Sequence, residues 1–211
     1  MTSGMKTGRA ALRRAALRGA ALLALSWLAA APALALELDA LMALLGQRKS
    51  GEARFTEERI VSGFDTPLRA SGKLSFAAPG RFARYTDAPR VESMEVEGNT
   101  VTLRRGERTR HMTLDAMPEL SALADALRGT LSGDAKTLQR SFTIRVSGTR
   151  ERWVLGLVPT EGGLARQVRE IEISGQGPDV LAIELSLAGG DRSVMHVQPL
   201  TATVTPRPAP R

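Results

Sequence analysis

Cysteine is absent from this sequence. No disulfide can hold the fold, no thiol nucleophile is available, and thiolate metal sites are excluded. Lipid anchoring of the bacterial lipoprotein kind needs a cysteine at the mature N-terminus, so it is excluded too. Histidine is nearly absent, with His111 and His196 the only two, which leaves nucleophilic triads and most transition-metal sites without their parts. His111 follows the basic run Arg108-Thr109-Arg110 and His196 lies between Met195 and Val197. Both read as strand histidines with solvent or backbone partners. Glu57 and Glu58 are neighbours in an extended run and point to opposite faces, so they form no acid–base dyad. Glycines mark hairpins, and no phosphate-binding loop opens a helix. No cofactor, no metal and no enzymatic activity are expected. Aromatic residues make up only 4% of the chain. An apolar site would therefore be lined by Leu, Val, Ile and Met, which suit flexible alkyl chains better than rings or sugars.

What is present begins with the first 35 residues. Lys6, Arg9, Arg13, Arg14 and Arg18 make a basic start, Ala20 to Ala31 is almost purely apolar, and Ala33-Leu34-Ala35 is a small-x-small cleavage site. This is a secretory signal, cut after Ala35, which sends the rest of the chain to the periplasm. The Arg13-Arg14 pair has poor twin-arginine surroundings, which favours ordinary secretion. Its apolar run is shorter than the roughly 18 to 20 residues a spanning helix needs, and no later run reaches that length. Five of the 29 basic residues and none of the 22 acidic ones leave with the signal. The mature chain is then nearly neutral, and nucleic acid is not an expected partner.

Residues 36–204 read as one domain, followed by a Pro-rich tail over 205–211 in which Pro206, Pro208 and Pro210 alternate. Leu38, Leu41, Met42 and Leu45 recur at helical spacing between Leu36 and Gln47. From Glu52 to Leu114 the period becomes two, with turns at Ser62-Gly63, Ser71-Gly72, Pro79-Gly80, Asp87 to Pro89, Gly98-Asn99 and Arg105-Gly106. This predicts a meander of six or seven strands. Pro118 then opens a second helix, with Leu120, Leu123, Leu127 and Leu131 on one stripe and Gly133 closing it. A short helical turn over Asp134 to Arg140 follows, and strands resume from Phe142 to Val197, with turns at Gly148, Gly162-Gly163, Gly175 to Pro178 and Gly189-Gly190. The expected fold class is mainly β (α+β). A single curved antiparallel sheet of ten or eleven strands would form an unclosed half-barrel with a helical lid. Two or three short helices cannot fill a broad sheet face as a second sheet would, so an apolar cavity is expected between lid and sheet. Its expected lining is Leu74, Phe76, Met94, Val96, Leu120, Leu123, Leu127, Leu131, Phe142, Ile144, Trp153 and Leu155; Ile183, in a later strand, is not assigned to it. The leucine stripe reads equally as plain core. The basic hairpin from Arg104 to Arg110 reads either as a solvated tip or as a dock for an acidic partner or anionic headgroups.

Phe55-Thr56-Glu57-Glu58, then Gly72-Lys73-Leu74-Ser75-Phe76 leading to Pro79-Gly80-Arg81-Phe82, then Ala88-Pro89 and Gly98-Asn99, resemble in that order the N-terminal half of the LolA-like periplasmic lipoprotein carriers. The resemblance implies an unclosed β-barrel lidded by helices. It also implies that Phe82 meets the membrane transporter that loads the carrier. Where the family has a basic residue that holds the lid closed, this chain has Ala78; Glu57 replaces the family's Gln, and Val101 and Leu103 replace aromatics. Such a divergent member is expected to act as a monomer. It would shuttle an acylated lipoprotein or another lipid, such as a glycolipid or polyene ester, from an inner-membrane exporter to an outer-membrane acceptor. A lipid- or peptide-sensing periplasmic regulator on the same half-barrel is the competing expectation. An enzyme on lipids would need a nucleophile with an acid–base partner in the cavity.

Overall fold

The computed structural model describes residues 36–160 and 162–200. The expected signal, its cleavage site and the Pro-rich tail lie outside the described residues.

The N-terminal apolar period forms helix α1 (Leu38–Leu45), which buries Leu41, Met42, Leu44 and Leu45. The alternating segment then runs through β1 (Ser50–Ile60), β2 (Leu68–Ala77), β3 (Arg81–Ala88), β4 (Glu92–Glu97), β5 (Thr100–Arg105) and β6 (Arg108–Thr113). A 3-10 turn (Leu114–Ala116) leads into α2 (Pro118–Ser132) and α3 (Ala135–Ser141). The second half contains β7 (Phe142–Thr149), β8 (Arg152–Pro159), α4 (Gly162–Gln167), β9 (Val168–Gln176), β10 (Asp179–Leu187) and β11 (Arg192–Pro199).

All eleven strands belong to one sheet in the order β6-β5-β4-β3-β2-β1-β11-β10-β9-β8-β7. Nine of its ten joints pair strands that follow one another in the chain. The exception is β1 with β11, antiparallel from Ala53 opposite Pro199 to Ile60 opposite Arg192, which joins the two halves. Because β6 and β7 end up at opposite edges, the segment between them must cross the whole sheet. Laid flat, ten strand spacings would span about 48 Å, whereas α2 and α3, with 15 and 7 residues, reach only about 33 Å even end to end. The sheet must therefore curl to bring its edges within reach of the helix pair. It stays unclosed, since β6 and β7 do not pair. The curved antiparallel sheet with a helical cover is thus as the sequence predicts.

Local chemistry sets the bend between the two lid helices. Gly133 ends α2 in the left-handed region at φ 71°, with Asp134 N–H bonded to the Gly129 carbonyl. A side chain at Gly133 would also strike the Met42 carbonyl of α1, 2.7 Å away. Asp134 then caps α3, accepting from Thr137 N–H at 3.0 Å and from the Thr137 hydroxyl at 2.5 Å. Ser71-Gly72, predicted as a turn, lies inside β2, where a side chain at Gly72 would strike the Tyr85 carbonyl of β3. Gly162-Gly163, also predicted as a turn, instead opens helix α4, in which Leu164 packs on the core. Tertiary packing here outweighs the low helix propensity of glycine.

The core has two parts. The larger gathers Leu41, Met42 and Leu45 of α1, Ala122 and Ala126 of α2 and Leu138 of α3 over Phe142, Trp153, Leu155, Leu157, Ile171 and Ile173. Trp153 is wholly buried, and its Nε1–H donates to the Gly177 carbonyl at 2.9 Å. The smaller joins Val96, Val101 and Leu114 to Ala124 of α2.

Candidate functional site

Between these two cores α2 bridges the middle of the sheet and leaves an apolar cavity of about 190 Å³. Its roof is the leucine stripe. Leu120, Leu123, Leu127 and Leu131 all lie on the wall, because i, i+3, i+4 spacing puts them on one helix face. The alanines at 122 and 126 turn to the packed side and let α2 sit close to the larger core. The floor comes from β1 to β4, β10 and β11. Leu74 stands between Ala53 and Arg84 across the strand pairings, and Ile183 lies opposite Met195. Period-two alternation brings these residues to the same face.

Of the residues expected from the sequence, Leu74, Phe76, Met94 and the four stripe leucines are brought together on the cavity wall. Ile183, Met195 and Val197 join them without having been assigned. Five expected residues are corrected. Phe142, Trp153 and Leu155 are buried in the larger core with Ile144 packed against it, and Val96 belongs to the smaller core. They occupy the same sheet face, but Phe142, Trp153, Leu155 and Val96 are buried under the helices and Ile144 is partly covered, and none of the five is on the cavity wall. Phe82, linked by resemblance to transporter docking, is half-buried and points to the cavity wall and the smaller core.

Polar groups bracket the apolar stretch. At one end the Arg48 guanidinium meets Asp179 at 2.6 Å. At the other, Arg84 donates to Glu57 at 2.6 Å, Ser193 Oγ donates to the second Glu57 oxygen at 2.5 Å, and Arg84 Nε reaches Thr86 Oγ1 at 3.3 Å. The Arg84 guanidinium also lies 4.5 Å from the centre of the Phe55 ring. The sequence reading rightly separates Glu57 from Glu58, yet it misses that Glu57 faces inward. The signal was available: Glu57 shares its alternation with Ala53 and Phe55, both buried.

The lid is tied down by its own arginine. Arg128 of α2 pairs with Asp125 one turn earlier at 3.3 Å and donates to the Gly98 carbonyl in the β4–β5 turn. Burial raises the Asp125 carboxyl above its ordinary range, and Arg128 offsets part of that rise. Thr137, through its hydroxyl and its N–H, holds the Asp134 carboxyl below that range.

His111 is exposed, with its Nδ1 3.2 Å from the Thr102 hydroxyl, and His196 is exposed on β11; neither is on the cavity wall. In the basic hairpin, Arg104 pairs with Glu95 at 2.5 Å and Arg105 with Glu92 at 2.6 Å, and both arginines are exposed. Among the described residues no cluster of three or more His, Asp or Glu is placed to hold a metal. No described helix is long and apolar enough to cross a membrane.

No curated protein matches the sequence. Solved structures similar to this chain include a LolA superfamily protein of Nitrosomonas europaea, at 8% identity over 77% of this chain and 89% of that one, with a TM-score of 0.41. A putative outer membrane lipoprotein-sorting protein domain from Vibrio parahaemolyticus shares 10% identity over 80% and 93%, with a TM-score of 0.40. The MucA/MucB complex of Pseudomonas aeruginosa gives 14% identity over 79% and 59%, with a TM-score of 0.33. Residues 29–200, which include every described strand and helix, fit the family model for outer membrane lipoprotein carrier protein LolA-like, and this chain belongs to that family.

Proposed function

We propose that this protein is a periplasmic carrier that takes acyl chains of a lipoprotein or another lipid into the cavity beneath α2. It would receive them from an inner-membrane exporter and release them to an outer-membrane acceptor. One observation carries this reading: the four leucines of the α2 stripe face unfilled space and remain half-buried. A helix that served only the core would have its apolar stripe covered.

The mechanism is partition without a covalent step. Each methylene moved from water to the apolar wall contributes about 0.8 kcal/mol. Roughly ten methylenes would supply about 8 kcal/mol before ordering costs, enough to hold a chain and still yield it to a more apolar acceptor. An apolar cavity of about 150 Å³ accommodates a benzene ring. The cavity of about 190 Å³ seen here thus accepts a short segment, and a long chain requires α2 to lift. The family's lid arginine is replaced by Ala78, and the tie from Arg128 to the Gly98 carbonyl takes over its holding role from the opposite side.

Native mass spectrometry of the protein purified from its own periplasm tests the reading. A stoichiometric acylated species is expected. An empty protein that also fails to bind a fluorescent fatty-acyl probe would overturn it. Leu123→Asp and Leu127→Asp should each lower probe binding at least about tenfold, since a charge is placed against the bound chain, while far-ultraviolet circular dichroism is unchanged.

A further inference from the structure

The end of the cavity at Arg84, like the Arg48–Asp179 end, differs chemically from the apolar wall between them. Arg84 lies on the inner sheet face between Leu74 of β2 and Met94 of β4, and it forms part of the cavity wall together with both. A guanidinium has five N–H donors. One is directed to Thr86 and one to Glu57. The other three have no hydrogen-bond partner among the described residues, and they belong to a group set into an apolar wall. Glu57 in turn is neutralised by Arg84 and held by the Ser193 hydroxyl. The pair therefore offers spare donors but little net charge.

We propose that Arg84 is the head-group site of the cavity, and that it recognises the neutral carbonyl of an ester- or amide-linked acyl chain in preference to a free carboxylate. A carbonyl oxygen accepts from the spare guanidinium N–H groups without disturbing the Glu57 pair. A carboxylate would stand beside the Glu57 carboxylate, and like charges in a poorly solvated site repel. The alkyl chain then runs from Arg84 along the leucine stripe. The Phe55 ring beneath the guanidinium and the Thr86 hydroxyl fix the plane of the fork, so the direction of the spare donors is set before the ligand arrives. This inference rests on the carrier reading and narrows its cargo to chains already esterified or amidated.

Calorimetric titration with three probes of equal chain length tests it. They are monododecanoylglycerol, which has an ester carbonyl; its dodecylglycerol ether, which lacks the carbonyl; and dodecanoate. The ester should bind about tenfold tighter than the ether, and also tighter than dodecanoate. Arg84→Leu should remove the ester–ether difference. The double variant Glu57→Gln, Arg84→Leu should do the same without leaving a carboxylate unpaired. Glu57→Gln alone leaves the Arg84 charge uncompensated and should invert the order, so that dodecanoate binds best. If ester and ether bind alike, or if their difference survives in both Arg84 variants, the head-group site is wrong although a chain carrier remains. If none of the three probes binds, the carrier reading falls with it.

Discussion

Two stretches of one sheet behave differently. Across β8 and β9 the inward residues Trp153, Leu155, Leu157, Ile171 and Ile173 are all completely buried. Across β10, β11, β2 and β4 their counterparts Ile183, Met195, Leu74 and Met94 are only half-buried. The alternation of apolar residues is equally regular in both regions. Cover makes the difference. Helices α1 and α3 and the alanine side of α2 converge on the first region. The second has only the leucine side of α2 above it, with a cavity between. A hydrophobic face is thus necessary for a core but does not specify one. Where helices run out, the same face becomes a binding wall.

Truncation on the two sides should break the symmetry most visibly. Leu155→Ala in the packed region should cost about 2 to 5 kcal/mol in urea unfolding, whereas Leu127→Ala on the cavity wall should cost about 1 kcal/mol or less, because its methyl groups already border empty space. Equal costs would mean that the cavity region is ordinary core. Filling the space is the converse test. Ala53→Leu on the floor should raise stability by about 0.5 kcal/mol or more while reducing acyl-probe uptake, and a loss of stability above about 1 kcal/mol would show that there is no room.

Arg128→Ala sharpens the comparison at the lid. It removes the tie between α2 and the β4–β5 turn. Stopped-flow uptake of an acyl probe should accelerate, with a stability loss of about 1 kcal/mol. Unchanged uptake would remove Arg128 from the opening step.

The smallest expected effects concern pH, and the two lid carboxylates should act in opposite directions. Asp134, depressed chiefly by the Thr137 hydroxyl hydrogen bond, contributes stability that is present above the ordinary carboxylate range and lost as pH falls through its lowered pKa. Asp125, raised chiefly by burial, is most favourable when protonated, so its contribution is present at the acid end and lost as pH rises through its raised pKa. Carboxyl carbon NMR titration should place the Asp125 midpoint above that of Asp134. Asp134→Asn should abolish the acid-side loss at the α3 cap. The reverse order of midpoints would contradict the described packing of α2 and α3.

Most of the fold is legible in the sequence, because the signals that specify it are local. Pro118 and Gly133 bound α2 as predicted, Asp134 marks the next cap, and most of the Gly and Pro turns fall at strand ends, Ser71-Gly72 inside β2 and Gly162-Gly163 in α4 being the exceptions. Half of the site is legible in the same way, since the leucine spacing fixes one helix face. The corrected residues Val96, Phe142, Ile144, Trp153 and Leu155 have the same alternation as Leu74 and Met94, and no local pattern separates them. The Glu57–Arg84 pair joins β1 to β3 across 27 positions of chain, and only strand register brings the two together.

The sequence by itself determined which residues form helix and strand, which face of each is apolar, and that catalytic parts are scarce. Those properties follow from side-chain period and turn chemistry within a few residues. Only the tertiary structure decided that β1 pairs with β11, that the lid crosses from edge to edge, and where its cover stops. Those outcomes depend on contacts between distant segments and on the small number of helices available to cover eleven strands. The site is the part of the apolar face left over when that cover is exhausted, and no single segment encodes it.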